Sequence, residues 1–201
     1  GTIDVSSAGA GSVLNLAGGL LILGASGTAS SAGRENAGSG TGGSIAVSAT
    51  NGGSLTGIGI LAADAFGGSS NITSLVSAGS GTGGSIDILA DTGGTISAGA
   101  YQARADADVV NTNGNNGNAQ GGRISMIARG GGGIATTSDG VTILDAGATD
   151  GVSADGSTAT GGNIQLIADG GSIRLANTDF DASATSGSND AGSTSLATGG
   201  T

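Results

Sequence analysis

The chain contains no cysteine, histidine, lysine, proline or tryptophan, and its aromatic residues are Phe66, Tyr101 and Phe180 alone. Each absence excludes a class of chemistry. Without cysteine there is no disulfide framework, and without cysteine and histidine the usual zinc sites and nucleophile triads cannot be assembled. Positive charge is scarce. Five arginines face fourteen aspartates and Glu35, for a net charge of −10, so no basic patch exists to release counterions from nucleic acid. Long apolar runs are also missing. The longest is Leu20–Leu23, against the roughly 20 residues of a membrane-spanning helix, and nothing at the start resembles a signal peptide. The sequence opens at Gly1 without Met, and is read as a mature or excised segment.

Glycine, by contrast, fills 45 of the 201 positions. A composition this rich in glycine suggests disorder, but the mean hydropathy of +0.18 and the regular placement of Ile, Val and Leu supply apolar surface that disordered chains lack. The glycines are themselves patterned. GGSIAVSA begins at Gly42, GGSIDILA at Gly83, GGRISMIA at Gly121 and GGNIQLIA at Gly161; the pair Gly199 and Gly200 follows, and GTIDVSSA from Gly1 is the same motif less one glycine. Successive pairs lie 41, 38, 40 and 38 residues apart, a period that marks a solenoid or array and not a globular domain. The repeats run 1–41, 42–82, 83–120, 121–160 and 161–198, with 199–201 starting a sixth.

Within a repeat, the residues after the glycine pair alternate with period two (Ile45, Val47, Ala49; Ile86, Ile88, Ala90; Ile124, Met126, Ala128; Ile164, Leu166, Ala168), the pattern of a strand with one face inward. Leu89, Ile127 and Ile167 fall on its outer face and call for a covering loop or neighbour. A second glycine signal about ten residues on (AGAGSV at Ala8, NGGSL at Asn51, DTGGTI at Asp91, RGGGGI at Arg129, DGGSI at Asp169) supplies the positive φ of a tight corner and reopens the strand. A third run carries small residues and is aligned on Ala25, Ala63, Ala105, Ala146 and Ala182 as one inward column. The remainder of each repeat is Gly, Ser, Asn and Thr of variable length, placed as a loop. The expectation is an all-β, parallel β-helix of about five coils of ~40 residues, three strands plus a Gly/Ser-rich loop per coil, in one continuous segment 1–201. A competing count puts two coils of about 20 residues in each repeat; one coil is preferred because it stacks Ile3, Ile45, Ile86, Ile124 and Ile164 in one ladder.

The best lead to a site is the third run, where Asp64, Asp106, Asp108, Asp145, Asp179 and Asp181 alternate with the inward alanines and are expected to point outward. The alignment stacks Asp64 beside Asp106 and sets Asp145 between Arg104 and Asp181. An acidic face could serve acid–base work on a polysaccharide, but it lacks His, Lys or Tyr partners. The preferred reading is a solvated acidic face with an exposed Arg104–Asp145 rung, worth at most about 1 kcal/mol. No catalytic, cofactor or metal residue is assigned. Calcium is the one cofactor considered for stacked carboxylates, and GGSSNITSL at Gly67 is a poor match to the nonapeptide that builds calcium β-rolls. GGGGIATTSD at Gly130 opens a strand and no Lys follows, so it is no phosphate loop. The column Thr2, Ser44, Ser85, Arg123, Asn163 is not the threonine array of an ice-binding face, and Asn71, Ile72 and Thr73 form a glycosylation sequon taken as fortuitous.

GGSIDILADTGGTISAGA from Gly83 and GGNIQLIADGGSIRLAN from Gly161 resemble the repeats of large filamentous-haemagglutinin-like and related β-strand-repeat proteins of Gram-negative bacteria. The resemblance covers all five copies. It implies a secreted or surface-displayed β-helical fibre, often adhesive, exported through a partner pore or its own barrel; neither a secretion region, a translocator nor a receptor-binding tip is found in this sequence. The function expected is structural and not enzymatic, an extracellular fibre or adhesin stalk. Its partners would be adjoining repeats or further copies, head to tail, with surface or matrix glycans as a further candidate. The alternative is a carbohydrate-active β-helix using the acidic face.

Overall fold

The computed structural model describes residues 1–31, 37–71, 79–111, 117–137, 139–153, 158–188 and 196–200, and among these there are strands, turns and no helix. The strands form four parallel sheets, each five coils deep. Sheet A holds Thr2–Ala8, Ser44–Thr50, Ser85–Asp91, Arg123–Arg129 and Asn163–Asp169. Its register puts Ile3 on Ile45, Ile45 on Ile86, Ile86 on Ile124 and Ile124 on Ile164. One repeat is therefore one coil, and the chain is a parallel β-helix with roughly 40 residues per turn. At the usual ~4.8 Å between strands, five coils make a rod about 24 Å long.

The corner from sheet A to sheet B is a two-residue turn in the left-handed region. Asn51 and Gly52 have φ of 52° and 77°, Thr92 and Gly93 49° and 73°, and Gly130 and Gly131 56° and 81°. Each turn closes by a backbone hydrogen bond three residues back, Gly53 N–H to Thr50 O at 2.9 Å, Gly94 to Asp91 at 3.0 Å and Gly132 to Arg129 at 2.9 Å. This is the use of glycine the sequence indicated at this corner.

The second and third alternating runs do not make separate sides. In coils 1–3 they fuse into single strands of sheet B, Val13–Gly24, Ser54–Asp64 and Thr95–Arg104; in coils 4 and 5 the sheet is interrupted, as Gly133–Thr136 with Thr142–Asp145 and Ser172–Arg174 with Thr178–Asp181. The Gly/Ser-rich stretch, placed as loop, contributes sheets C and D. Sheet C takes Gly27–Ser31, Gly67–Asn71, Ala107–Asn111, Ala148–Ser153 and Ala184–Ser188, and sheet D takes two or three residues per coil from Gly40–Thr41 to Leu196–Thr198. Leu89, Ile127 and Ile167 stack on one another on the outer face of sheet A and are half-buried.

The doubled glycines occupy the corner between sheets D and A. The second glycine of each pair donates across the interior of the coil to the alanine carbonyl at the opposite corner: Gly43 to Ala25 O at 2.5 Å, Gly84 to Ala65 at 2.7 Å, Gly122 to Ala105 at 2.6 Å, Gly162 to Ala146 at 2.7 Å and Gly200 to Ala182 at 2.6 Å. These bonds pinch every coil into two lobes. The larger, between sheets A and B, holds the main core, with Ile45, Ile86, Ile88, Ile124, Met126, Leu55, Leu61, Ile96, Ile134, Leu144 and Tyr101 all at most 1% exposed. The smaller, between sheets C and D, holds Ala107, Val109, Ala119, Ala148 and Ala159. Tyr101 is accommodated in the larger lobe because its hydroxyl donates toward Ile96 O at 3.2 Å and Ala135 O at 3.3 Å.

The pinch is what requires glycine. A Cβ on the first glycine of a pair would overlap the carbonyl oxygen of the alanine one coil on, as Gly83 with Ala105, and a Cβ on the second would overlap the second glycine of the preceding coil, as Gly84 with Gly43. Replacing Gly84 by Ala is expected to lower stability by about 3 kcal/mol or more, because backbone has to move against backbone in a packed stack. Gly24, with nothing within 4 Å of an added Cβ, serves as control and its Ala variant should fall within about 0.5 kcal/mol of the parent. Urea denaturation of the two variants checks this.

Candidate functional site

The acidic run maps to the edge of sheet B and the corner into sheet C. Its register differs from the sequence alignment by two residues in coil 2. Ala65, not Ala63, occupies the corner column with Ala25, Ala105, Ala146 and Ala182, as the backbone bonds from Ala25 to Asp64 O and from Ala65 to Arg104 O show. Ala63 instead lies in the column Leu23, Ala63, Ala103, Leu144, Phe180, and Leu61 stacks between Leu21 and Tyr101. A two-residue shift leaves inward and outward positions unchanged, so alternation alone could not fix it.

The outward column is accordingly Gly24, Asp64, Arg104, Asp145, Asp181. Asp64 faces Arg104 and is not stacked beside Asp106. Three of these aspartates cap the corner that follows them: Asp64 Oδ1 accepts from Phe66 N–H at 3.0 Å, Asp145 Oδ1 from Gly147 N–H at 2.9 Å and Asp181 Oδ1 from Ser183 N–H at 2.7 Å. Ser26 Oγ adds a bond to Asp64 Oδ1 at 2.8 Å. A carboxylate bonding the N–H two residues on is the side-chain closure of a turn. The Ser183 bonds also hold the Asp181 carboxyl below the usual carboxylate range, which is unsuited to a general acid.

Coil 3 has Arg104 where its neighbours have Asp, and the corner is closed differently. The Arg104 Nε and Nη2 both donate to Asp106 Oδ2, at 2.8 and 2.7 Å, so the expected Arg104–Asp145 rung is replaced by a pairing within the coil. The guanidinium also lies 4.8 Å from the centre of the Phe66 ring, a cation–π distance. Asp106 does not point freely outward: it is 8% exposed and its Oδ1 is buried without a hydrogen-bond partner. Burial raises its pKa against the opposing pull of Arg104. Asp108, half-buried in sheet C with a similarly enclosed Oδ1, is raised by burial too. Asp179 stands outward and exposed beside Ile143.

Above this edge, Ile22, Ala62, Gln102 and Ile143 line a shallow groove of about 410 Å³ with Asp64, Arg104 and Asp145 on its rim. A longer open trench, about 880 Å³, follows the glycine corners between Thr82 and Gln120 on one wall and Ser44, Ser85 and Arg123 on the other. A second charge ladder, not noticed in the sequence, lies at the A–B corner. Arg129 Nη2 bonds Asp91 Oδ2 at 3.0 Å, with Asp169 on its other side, and this pairing lowers the Asp91 pKa. Column alignment would have revealed it, since Asp91, Arg129 and Asp169 hold the same place in three successive repeats. Among the described residues no three acidic side chains converge to hold a metal ion. In the sequon, Ile72 and Thr73 lie outside the described residues. No protein-family model, curated protein or solved structure matches the chain.

Corner capping makes a distinct prediction from catalysis. Asp145→Ala should cost about 1 kcal/mol, the loss of one charge-assisted bond to backbone, whereas Asp145→Asn keeps the acceptor and should be nearly neutral; chemical denaturation of the pair gives the comparison. The pKa shifts also set a pH profile. Asp106 and Asp108 have native pKa values above the ordinary carboxylate value, so between about pH 4 and those values the folded chain binds more protons than the unfolded one. Stability therefore rises as pH falls through that window. Asp91 and Asp181, with lowered values, contribute stability above about pH 4 that is lost as pH falls through their native values. Melting temperature against pH should pass through a mildly acidic maximum, and Asp106→Asn should flatten its neutral-side slope.

Proposed function

We propose that the chain is a structural element, a rigid β-solenoid rod that serves as a fibre or stalk segment at a bacterial cell surface and performs no catalysis. The observation that carries this reading is the continuity of the inward columns: aliphatic or alanine side chains stay in register from coil to coil through all five copies of sheet A.

The acidic edge supports the same reading, because its carboxylates close corners and pair with arginine inside the rod. The surface setting rests on the resemblance of the repeats to filamentous-haemagglutinin-like proteins. Electron microscopy and fibre diffraction of the native material test the proposal. Long fibres of uniform width with a reflection near 4.8 Å along the axis are expected, and discrete globular particles would overturn it. Polysaccharide cleavage that disappears in Asp106→Asn or Asp145→Asn would establish the carbohydrate-active alternative instead.

A further inference from the structure

We propose that the outer face of sheet B docks a second copy of this chain, side by side and antiparallel, about a two-fold axis between coils 2 and 3. The inference goes beyond the structural reading above, because a rod can stand without it, and it concerns the side of the rod and not its ends. Two outward columns make the face. Leu20, Ile60, Ala100 and Val141 stand in one and Ile22, Ala62, Gln102 and Ile143 in the next, on coils 1 to 4. All but Gln102 are apolar, on the outside of a chain with net charge −10. Val141 and Ile143 are each 40% exposed although coil 5 stacks directly beside them, and Leu20 and Ile22 are 56% and 67% exposed. Side chains that project sideways are flanked, not covered, by adjoining coils, so the face is bare within the stack. A contiguous apolar patch of this kind marks an interaction site.

The order of residues within the columns selects a second copy. The rotation keeps each column over itself and exchanges coil 1 with coil 4 and coil 2 with coil 3. Leu20 then meets Val141 of the second copy, Ile22 meets Ile143, Ile60 meets Ala100 and Gln102 meets Ala62. Bulky side chains close both edges, and at the centre each larger side chain enters a space left by an alanine. The groove of about 410 Å³ over Ala62, between Ile22 and Ile143, is the seat of the opposing Gln102. This match comes from differences between coils and not from the repeat, since plain repetition would set the same residue on every coil of a column.

Charge agrees with the same rotation. The neighbouring column is Gly24, Asp64, Arg104 and Asp145, so Asp64 meets Arg104 and Asp145 meets Gly24, each twice, and no like charges are opposed. The pairing of Arg104 with Asp106 uses Nε and Nη2, and the side-chain bonds at the Asp64 corner use Oδ1. Nη1 and Oδ2 are left for each other across the contact. A parallel arrangement, by contrast, would lay this charged column on Leu20, Ile60, Ala100 and Val141 and bury unpaired charge. Farther along the strands, Val13 meets Gly133 and Ser54 meets Thr95. Strands about 40 Å long on four coils about 19 Å deep bury on the order of 700 Å² per copy, close to the ~800 Å² per partner of a standard specific interface.

Sedimentation velocity over a concentration series at physiological ionic strength, with small-angle X-ray scattering of the same samples, tests this on the 201-residue chain. The expected result is a monomer–dimer equilibrium in the micromolar range or tighter. It closes at two copies because both use the same face, with the thickness doubled and the length little changed. Ile143→Asp should weaken association about a hundredfold or more by setting a charge against Ile22, while circular dichroism shows the parent fold; if it does not fold, Ile143→Ser replaces it. The chain has no cysteine, so introduced thiols report the register. Ile22→Cys mixed with Ile143→Cys should cross-link through a short bis-maleimide, because the two positions lie about 10 Å apart across packed sheets. Ile143→Cys by itself should not, since its two copies are offset by three coils, about 14 Å, along the rod. Cross-linking of Ile143→Cys to itself overturns the antiparallel register, and undiminished dimers of the folded position-143 variant overturn the face. A parent that stays a monomeric rod at all concentrations overturns the docking and leaves the structural reading intact. Loss of the rod shape in the parent would overturn that reading instead.

Discussion

Every coil depends on one backbone hydrogen bond, from the second glycine of each pair across the interior to an alanine carbonyl, at 2.5 to 2.7 Å. A coil of forty residues wound as a simple ring would enclose more volume than its small side chains can fill. The bond removes that problem by drawing opposite corners together, so that the aliphatic residues of sheets A and B fill one narrow lobe and the alanines and valine of sheets C and D fill another. Backbone groups buried in this way must be paired, and here they pair with each other. The composition follows from it: no side chain fits at the glycine corner, only alanine stands opposite, and the thin second lobe is lined mostly by residues no larger than valine.

Charge is arranged by the same one-dimensional logic. Positions in a column are a strand spacing apart, close enough for like charges to cost stability and for opposite charges to gain a little. With fourteen aspartates and five arginines, the chain mostly separates the acids with neutral residues, intercalates arginine at two columns, and uses carboxylate oxygens to close corners. An acidic edge of this kind resembles a catalytic face in sequence while its oxygens are already engaged. Asp106 and Asp108 are exceptions: Asp106 accepts two hydrogen bonds from Arg104 on one oxygen, each has one oxygen enclosed without a partner, and burial raises the pKa of both.

The single coil per repeat, the isoleucine ladder and the glycine corner at positive φ were all legible, because period-two alternation and a fixed glycine interval survive in any register of the same period. The candidate site was less so. Ala63 and Ala65 are both alanines in an alternating run, and a slip of two residues keeps every side chain on its face; only pairing with Arg104 decided that Asp64 sits opposite an arginine and not opposite Asp106. Sheets C and D are not legible as strands because their residues are mostly Gly, Ser, Ala and Thr, whose strand preference is weak alone and arises from neighbours already in place.

From the sequence by itself came the architecture: a stack of like coils with like residues in columns, acidic outside and aliphatic within. The tertiary structure alone decided how each coil is closed and which aspartate meets which arginine. The physical reason is that columns are a property of side-chain type and spacing, whereas the pinch across the coil is made by main-chain atoms common to every residue, and its only trace in the sequence is the absence of side chains at paired glycines.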